Sequence, residues 1–331
     1  MFSCIKKKNN PRFFWVLALA LAGFNFSCTQ KTTALTVYAI KGSPGLCMLP
    51  MFEAPPQIQG FDLRLEALSQ ADLAAAKFIS GEAKIGILPP NIAAKIAASG
   101  INIQAAAVTG EGMLSLLSLD PAIRSINDLK GKKVDAAGAG ATPDYVLRRL
   151  LLNRGLEPDA DVQISFALAH PEIVQSLIAG RISTALLPEP FASMALGASS
   201  SIRQIGDVQD EWEKAYGSLY PMTLFAVDGD FAASNHEAMA VILKSLEDSI
   251  QWTVSNPQAA GELAEKHGMG ISAAAAVAAI PRSNYVFIPA ALARPSLESL
   301  FRIFLEFSPQ SIGNALPEDS FYFKASEAWQ P

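Results

Sequence analysis

The sequence has little of the material from which catalytic and metal sites are commonly built. It holds three cysteines and three histidines in 331 residues, and the histidines lie far apart along the chain. No G-x-S-x-G or H-E-x-x-H motif occurs, and the glycine-rich nucleotide motifs G-x-G-x-x-G and G-x-x-x-x-G-K-[ST] are also missing. These absences argue against hydrolytic catalysis, a His-based metal site and nucleotide binding.

Charged residues are scarce as well. They make up 17% of the chain against 50% apolar residues, which excludes disorder and predicts well-buried sheets. The formal net charge is −5, and no Lys/Arg-rich stretch follows the first 27 residues, so we expect no nucleic-acid partner. No Pro/Ser-rich linker divides the chain, which is long enough for two lobes that each have a core.

The first 27 residues form a distinct segment, a basic stretch followed by the apolar run 13–26. This run is too short to span a bilayer and predicts a secretory signal sequence at 1–27. Ser27-Cys28-Thr29 is similar to a bacterial lipobox, so we expect Cys28 to be lipid-modified at the mature N-terminus. Residues 28–33 would form a tether. Ordinary cleavage that leaves Cys28 unmodified is the alternative, and no disulfide framework is expected.

Two segments ninety-nine positions apart have the same pattern. Residues 78–94 and 177–193 align without a gap, and each contains a helix end, a glycine, a short apolar strand, a proline-bearing loop and a new helix. Such a repeat predicts two similar α/β lobes. Ligands of open parallel sheets bind beyond the carboxyl ends of the strands, so the loops 89–91 and 188–190 are expected on opposite walls of one cleft.

Strands alternate with helices through most of the chain, which predicts parallel sheets made of βαβ units. The order of the segments predicts a first lobe at 34–112, a second lobe at 113–222, and a return to the first lobe with C-terminal helices at 223–331. The strand segments 113–120 and 222–229 are expected to cross between the lobes. The predicted fold class is α/β, with two Rossmann-like lobes around a central cleft.

A glycine-rich turn before Thr142 is the sharpest local signal. Thr142 suits the N-cap of a helix, Pro143 its first position, and Asp144 complements the helix dipole. Gly140, Ala141 and Thr142 would then present backbone N–H groups to a ligand and favour its anionic groups. The alternative is a tight strand–helix turn of the kind that every α/β sheet needs.

Further candidate binding residues lie at the equivalent points of both lobes. The turn in the first lobe contains Ser43, Gly45 and Leu46, which offer a hydroxyl group and a flexible backbone. Asn91 and Glu189 each follow the third strand of a lobe. There they either hydrogen-bond a ligand across the cleft or cap the helix that follows, and Glu189 would favour an amine or a ring N–H.

Three other features have both a functional and a structural interpretation. Tyr220 lies beside the second crossing and is counted among the candidate ligand-binding residues. Arg282 either pairs with a ligand anion or holds the C-terminal helices in place, and we expect the second role. Cys47, Met48 and Met51 either bind Cu(I) or fill a helix core, and we expect the core. No metal and no cofactor are predicted.

Two stretches of the sequence resemble a known family. Residues 128–162, with Thr-Pro-Asp-Tyr at 142–145, and residues 173–195, with Leu-Leu-Pro-Glu-Pro-Phe at 186–191, are similar to solute-binding lipoproteins of ABC importers. The branch is the one that handles nitrate, taurine, alkanesulfonates and thiamine-pyrimidine precursors. Shorter similar pieces follow at 220–227, 280–282 and 316–323.

The resemblance implies the two-lobed fold of type II periplasmic binding proteins. It also implies that the ligand touches the turns at Ser43–Leu46, Asn91, Gly140–Thr142 and Glu189. The sequence departs from the family at residues 46–49, Leu-Cys-Met-Leu, which are unusually apolar and argue against a strongly hydrated oxyanion such as nitrate.

Few of the candidate wall residues are charged, and Tyr145, Phe191 and Tyr220 lie close to them in the sequence. A neutral or zwitterionic, heteroaromatic ligand therefore fits better than a bare sulfonate.

The resemblance and the repeat together predict an exported, monomeric binding protein, lipid-anchored at the cell membrane and facing the periplasm or the cell exterior. It would close on a small organic solute and present it to an ABC permease with its ATPase. Two alternatives stay open. One is a small-molecule enzyme on the same fold, of the pyrimidine-precursor synthase or lyase type, although the Cys-rich iron motif of such synthases is missing. The other is a sensor or adhesin that has lost transport.

Overall fold

A computed structural model describes residue 1 and residues 32–324 of the chain. The predicted signal sequence, Cys28 and residues 29–31 of the predicted tether lie outside these described residues, so the expectations for them stay predictions. Within the described part of the chain, no helix combines the length and the apolar character that crossing a membrane requires.

Six strands form the sheet of the first lobe. In spatial order they are β11 (Tyr285–Pro289), β4 (Ile103–Glu111), β10 (Pro221–Asp228), β3 (Ile85–Leu88), β1 (Thr33–Ile40) and β2 (Phe61–Leu68). Strand β1 pairs in parallel with β2 and β3, whereas β10 lies antiparallel between β3 and β4. The strand that returns to this lobe is therefore inserted into the middle of its sheet.

Five strands form the sheet of the second lobe. In spatial order they are β7 (Gln163–Ser165), β6 (Lys133–Asp135), β8 (Thr184–Pro188), β5 (Leu114–Ser118) and β9 (Arg203–Gly206). Strand β6 pairs in parallel with β7 and β8, and β5 lies antiparallel between β8 and β9. The first sheet thus contains two strands that run against the others, β10 and β11, and the second sheet contains one, β5. Strands β10 and β5 each directly follow a crossing from the other lobe.

Helices follow the strands of both sheets. Those before the first crossing are α1 (Ser43–Leu46), α2 (Leu49–Glu53), α3 (Ala71–Ile79) and α4 (Pro90–Ala98). Those of the second lobe are α5 (Thr142–Asn153), α6 (His170–Ile178), α7 (Phe191–Ala198) and α8 (Val208–Tyr216). Those after the return are α9 (Gly229–Ser234), α10 (His236–Ser255), α11 (Pro257–Lys266), α12 (Ala273–Ala279) and α13 (Ala290–Phe307). Short 3₁₀ helices lie at Ile126–Leu129, Ile280–Arg282, Pro309–Ile312 and Asp319–Phe321.

Alternating apolar side chains give each sheet a core on both faces. In β10, Phe225 and Val227 join the core that contains α2 and α10, whereas Leu224 and Ala226 join the opposite core with α4 and α13. The second sheet is covered by α6 and α7 on one face and by α5 on the other. Burial on both faces explains why these strands are continuously apolar.

Helix α13 connects the two lobes on one side. The Tyr145 ring of α5 stacks on Phe307 at a centroid distance of 5.6 Å and meets Phe304 edge-on at 4.9 Å. Arg149 of α5 forms an ion pair with Glu306 of α13. The buried cluster on this side runs without interruption from the first lobe into the second.

The two crossings lie side by side. The N–H of Gly112 donates a hydrogen bond to the Tyr220 carbonyl at 2.9 Å, and the Asn284 side chain donates to the Gly112 carbonyl at 2.6 Å. Glu111, the last residue of β4, is 8% exposed at this point. Burial, assisted by repulsion from Glu213, raises the pKa of the Glu111 carboxyl to about 7.

We expect Glu111→Gln to change how stability depends on pH. The ordinary pKa of a glutamate is 4.5, so between pH 4.5 and about 7 the folded state binds more protons at Glu111 than the unfolded state. The contribution of Glu111 to the free energy of unfolding is therefore fully present below pH 4.5 and is lost as pH rises through about 7. Urea unfolding should find Glu111→Gln more stable than wild type by roughly 1–3 kcal/mol at pH 8 and similar to it near pH 5.

Glu262→Gln, at an exposed position of α11, is the control and should match wild type at both pH values. A stability difference between Glu111→Gln and wild type that does not change with pH would contradict this assignment.

Candidate functional site

A cavity of about 710 Å³ lies between the two lobes. Its wall in the first lobe comprises residues 40–44, 69–72 and 269–271, and its wall in the second lobe includes residues 141–143 and 188–191. The segments 40–44 and 69–72 directly follow β1 and β2, and residue 188 ends β8. The cavity therefore lies beyond the carboxyl ends of both sheets, where the repeat in the sequence predicts a cleft.

The cavity brings together five of the residues that the sequence singles out. Ser43 and Asn91 line it from the first lobe, and Ala141, Thr142 and Glu189 line it from the second. Gly45, Leu46, Gly140 and Tyr220 are not among the lining residues.

Gly45 and Leu46 belong to the packing behind the first turn. A Cβ atom at Gly45 would lie 2.5 Å from the Ile40 carbonyl oxygen, so this glycine serves a close approach of backbone to backbone. Leu46 is fully buried in the core of the first lobe. The apolar character of the sequence around Leu46 therefore reflects a core and says little about the ligand.

The sulfur-containing side chains next to Leu46 belong to the same core. Cys47, Met48 and Met51 are buried together, and the Cys47 thiol donates to the Pro44 carbonyl at 3.3 Å. Burial raises the pKa of this thiol to about 12, which keeps it protonated. Within residues 32–324, no group of three or more His, Cys, Asp or Glu side chains is arranged to hold a metal ion.

Tyr220 is fully buried beside the second crossing. Its hydroxyl donates to Gln209 Oε1 at 2.8 Å, and its ring meets Trp212 at a centroid distance of 5.1 Å. A phenol that is held in this way inside the second lobe does not reach the cleft, so Tyr220 supports the crossing instead of a ligand.

The glycine-rich turn is built differently from the prediction. The helix begins one residue earlier than expected, with Ala141 at the N-cap and Thr142 as the first helical residue, so the N-cap predicted at Thr142 is wrong. The carboxylate of Asp144 reaches back to the turn, where its Oδ2 accepts the N–H of Gly140, the residue before the N-cap, at 2.8 Å. Gly140 has a φ of 73°, a value that suits glycine. The Gly140 amide is thus occupied from within the chain, which removes part of the anion site that the sequence predicts.

The charge of Asp144 is compensated on the helix itself. Arg148 donates to Asp144 Oδ1 at 2.6 Å and to Asp159 at 2.6 Å. This arginine is therefore engaged with two carboxylates and is not a free cation near the start of α5.

Glu189 is the most deeply buried charged group of the cleft, with 1% of its side chain exposed. Its Oε1 accepts from Arg282 Nε at 2.7 Å, and its Oε2 accepts the N–H of Ser193 at 3.1 Å. The structure thus shows Glu189 bonded to the first turn of the helix that follows, and its predicted contact with a ligand stays a prediction. Arg282 belongs to the first lobe, and its Nη2 also reaches Ser115 at 3.1 Å and Gln204 at 2.8 Å. Arg282 therefore joins the two lobes, whereas the structural role expected from the sequence was to hold the C-terminal helices to the first lobe.

Two polar atoms in the residues that line the cavity lack a partner. Asn91 Oδ1 and His170 Nε2 are buried, and neither has a hydrogen-bond partner in the described part of the chain. Asn91 is the second residue of α4, behind two prolines, and does not cap that helix. One such atom belongs to each lobe. A buried polar atom without a partner is costly, which makes both residues candidates for ligand contact.

His170 is a residue that sequence reasoning missed. It opens α6 after β7, and its ring stacks on Phe191 at a centroid distance of 5.0 Å and an angle of 15°. Burial lowers the pKa of His170, so its ring is neutral at pH 7. The sequence could have indicated His170 as a cleft residue, because it starts a helix that follows a strand of the second lobe. The same rule indicated Asn91 and Glu189.

Three methionines complete the apolar part of the lining. Met113 and Met222 lie next to the two crossings, and Met269 lies on the wall of the first lobe. Together with Phe191 they make much of the surface unsuited to a strongly hydrated ligand.

Comparison with known proteins adds a family and a fold. The NMT1-like family matches residues 73–267. An ABC transporter protein from Parabacteroides distasonis is 24% identical over 89% of this chain and 100% of its own, with a TM-score of 0.76. The periplasmic aliphatic sulphonate-binding protein SsuA from Escherichia coli is 17% identical over 90% of this chain and 94% of its own, with a TM-score of 0.71.

A more distant structure has the same architecture. The periplasmic nitrate-binding protein NrtA from Synechocystis PCC 6803 is 13% identical over 74% of this chain and 69% of its own, with a TM-score of 0.55. No curated protein matches the sequence. The predicted two-lobed fold of periplasmic binding proteins is confirmed.

We expect the Glu189–Arg282 pair to hold the lobes together. Arg282→Met leaves the Glu189 carboxylate buried without its cation, which should lower the free energy of unfolding by about 3 kcal/mol. The double variant Glu189→Gln/Arg282→Met removes both charges and should recover most of that loss. Urea denaturation of the three proteins measures both effects.

Arg302→Met is a matched control, because the Arg302 side chain on α13 is 66% exposed and should contribute little. An Arg282→Met protein as stable as the control would show that the pair does not hold the lobes.

Proposed function

The chain belongs to the NMT1-like family, and from this premise we propose that it is the extracytoplasmic substrate-binding component of an ABC importer. The observation that carries the proposal is the cavity between the lobes, because its lining is supplied by the carboxyl ends of both sheets. The names of its structural neighbours, an ABC transporter protein and proteins that bind sulphonates or nitrate, agree with this role.

Solute capture would work through closure of the lobes. A ligand that contacts Asn91 from one wall and His170 from the other is bound best when the walls are close, so it stabilises the closed arrangement. The two adjacent crossings at Gly112 and Tyr220 are the natural hinge, because the chain passes between the lobes there. The closed form would then be presented to a permease and its ATPase.

Binding without catalysis fits the cavity better than the enzyme alternative. Ser43, the hydroxyl of the first turn, is hydrogen-bonded to Ser283 at 3.1 Å and to Tyr285 at 2.9 Å. A nucleophilic serine would instead need a base within hydrogen-bond reach. His170 Nε2 has no partner among the described residues. The sensor or adhesin alternative predicts a blocked cleft, and a cavity of about 710 Å³ favours a protein that still takes up a ligand.

We expect a solute of this cleft to stabilise the folded protein. At a hundredfold excess over its Kd, a ligand that binds one site adds about 2.7 kcal/mol to the free energy of unfolding. Ala141→Trp should abolish that gain, because the indole would fill the cavity from the wall of the second lobe. A thermal-melting screen with small organic solutes, followed by recovery of the bound compound, tests the proposal.

Ala198→Trp, at the exposed end of α7 and away from the cavity, should bind as wild type does. A bound compound that is recovered chemically altered would favour the enzyme, and a screen without any stabilising solute would count against import.

Export and lipid anchoring belong to the same proposal. Residues 1–27 have the order of a secretory signal sequence, and Ser27-Cys28 follows it where a lipid would be attached. Thioether-linked lipid at Cys28 would hold the two lobes at the membrane surface close to the permease. This anchoring through Cys28 is compatible with the monomer expected from the sequence.

We expect Cys28→Ala to release the protein from the membrane fraction. Wild-type protein should sediment with membranes and incorporate labelled fatty acid, whereas Cys28→Ala should do neither, because the attachment atom is missing. Cys47→Ala, which changes the buried cysteine, should behave as wild type. Wild-type protein that stays soluble and unlabelled would favour ordinary signal cleavage.

A further inference from the structure

The helices that open onto the cleft carry their own carboxylates. A helix N-terminus normally attracts an anion, because its first N–H groups are unpaired and its dipole is positive there. Here Asp144 accepts the N–H of Gly140, and Glu189 accepts the N–H of Ser193. In α6, Glu172 accepts the N–H of Ala169 at 3.0 Å. At or just before the start of each of α5, α6 and α7, one backbone N–H is therefore already bonded to a carboxylate of the chain.

Prolines remove N–H donors from the starts of helices that line the cleft. The first or second position is a proline in four helices whose starts supply lining residues: Pro44 in α1, Pro90 in α4, Pro143 in α5 and Pro171 in α6. Proline has no backbone N–H, so each of these helices offers one donor fewer to an anion. An oxyanion site would need several such donors.

The arginines nearest to the cleft are also engaged. Arg148 is held by Asp144 and Asp159, and Arg282 is held by Glu189. In the described part of the chain, one basic residue lines the cavity, and it is Lys41. Lys41 is exposed and lies on the same wall as Asp72, which is also exposed. Among the described residues that line the cleft, exposed Lys41 is thus the one positively charged side chain left for a sulfonate, a nitrate or a carboxylate.

The buried groups left for a ligand are uncharged. Asn91 Oδ1 needs a hydrogen-bond donor, and the neutral ring of His170 offers one further hydrogen bond at Nε2. Most of the remaining surface is apolar, and it includes Phe191, on which His170 stacks, together with Met113 and Met222. An amide or ring N–H on a flat apolar body matches these groups.

We propose that the solute of this cleft is uncharged, donates a hydrogen bond to Asn91, forms a second hydrogen bond with His170, and packs a flat apolar part against the His170–Phe191 stack. The inference rests on the proposed function, because it defines the ligand class of the same cleft. It sets this chain apart from neighbours named for binding sulphonates or nitrate.

Matched probes that differ in charge or in hydrogen-bond donors test the ligand class. We expect benzamide and benzenesulfonamide to raise the melting temperature, with dissociation constants at least tenfold lower than those of benzoate and benzenesulfonate. Acetophenone, which has the shape of benzamide but no N–H donor, should bind about tenfold or more weakly than benzamide. Calorimetry on the purified protein gives the dissociation constants.

The outcomes separate the inference from the proposed function. Tighter binding of the anions, or of taurine or nitrate, would overturn the uncharged ligand while leaving the solute-binding role intact. If no compound of any charge class stabilises the protein, in these pairs or in the wider solute screen, both the inference and the proposed function are overturned.

Variants of the two unpartnered residues test the contacts. Asn91→Leu removes a buried polar atom without a partner, so the ligand-free protein should melt about 2–4 °C higher while losing benzamide affinity about tenfold or more. His170→Phe keeps an aromatic ring against Phe191 but removes Nε2, and should weaken binding similarly. If Asn91 had only a structural role, the Asn91→Leu protein would not combine a higher melting temperature with a weaker affinity for benzamide.

The controls lie outside the cleft. Asn102→Leu removes a side chain that donates to Asp230 at 2.8 Å, and His236→Phe changes the first residue of α10. Both should bind benzamide as wild type does, and Asn102→Leu should not gain stability. Wild-type affinity in Asn91→Leu and His170→Phe would overturn the assigned contacts.

Discussion

The ion pair between Glu189 and Arg282 is the interaction on which the arrangement of the two lobes depends. A carboxylate that is 1% exposed must have a close cation, because its transfer out of water is otherwise prohibitive. The cation comes from the other lobe, and the same guanidinium also reaches Ser115 and Gln204. One buried charge therefore links the two lobes beside the cleft.

The same requirement for compensation determines what the cleft offers to a ligand. Asp144 satisfies the amide of Gly140, Arg148 satisfies Asp144, and Glu189 satisfies the first turn of α7. Charged groups that pair with one another are not available to a solute. In each wall, as far as the structure describes it, the buried atom that is left unpaired is uncharged, so the chemistry inside the site follows from the pairs that the chain completes by itself.

The loops of the cleft were predictable because strand periodicity and the internal repeat determine where strands end. That rule indicated Asn91 and Glu189 correctly as cleft residues, and applied once more it would have indicated His170. It does not determine where a side chain points. Leu46 lies in the core of the first lobe and Tyr220 in the buried cluster beside the second crossing, where the burial of apolar surface stabilises both side chains.

The sequence by itself determined the α/β class, the two lobes and the position of the cleft, because these depend on apolar periodicity and turn residues that act locally. Only the tertiary structure decided which polar groups remain free. The pairing of Glu189 with Arg282 joins residues ninety-three positions apart, and that distance leaves no local pattern in the chain. A binding site is defined by what long-range packing leaves unsatisfied, and that becomes visible once the chain is folded.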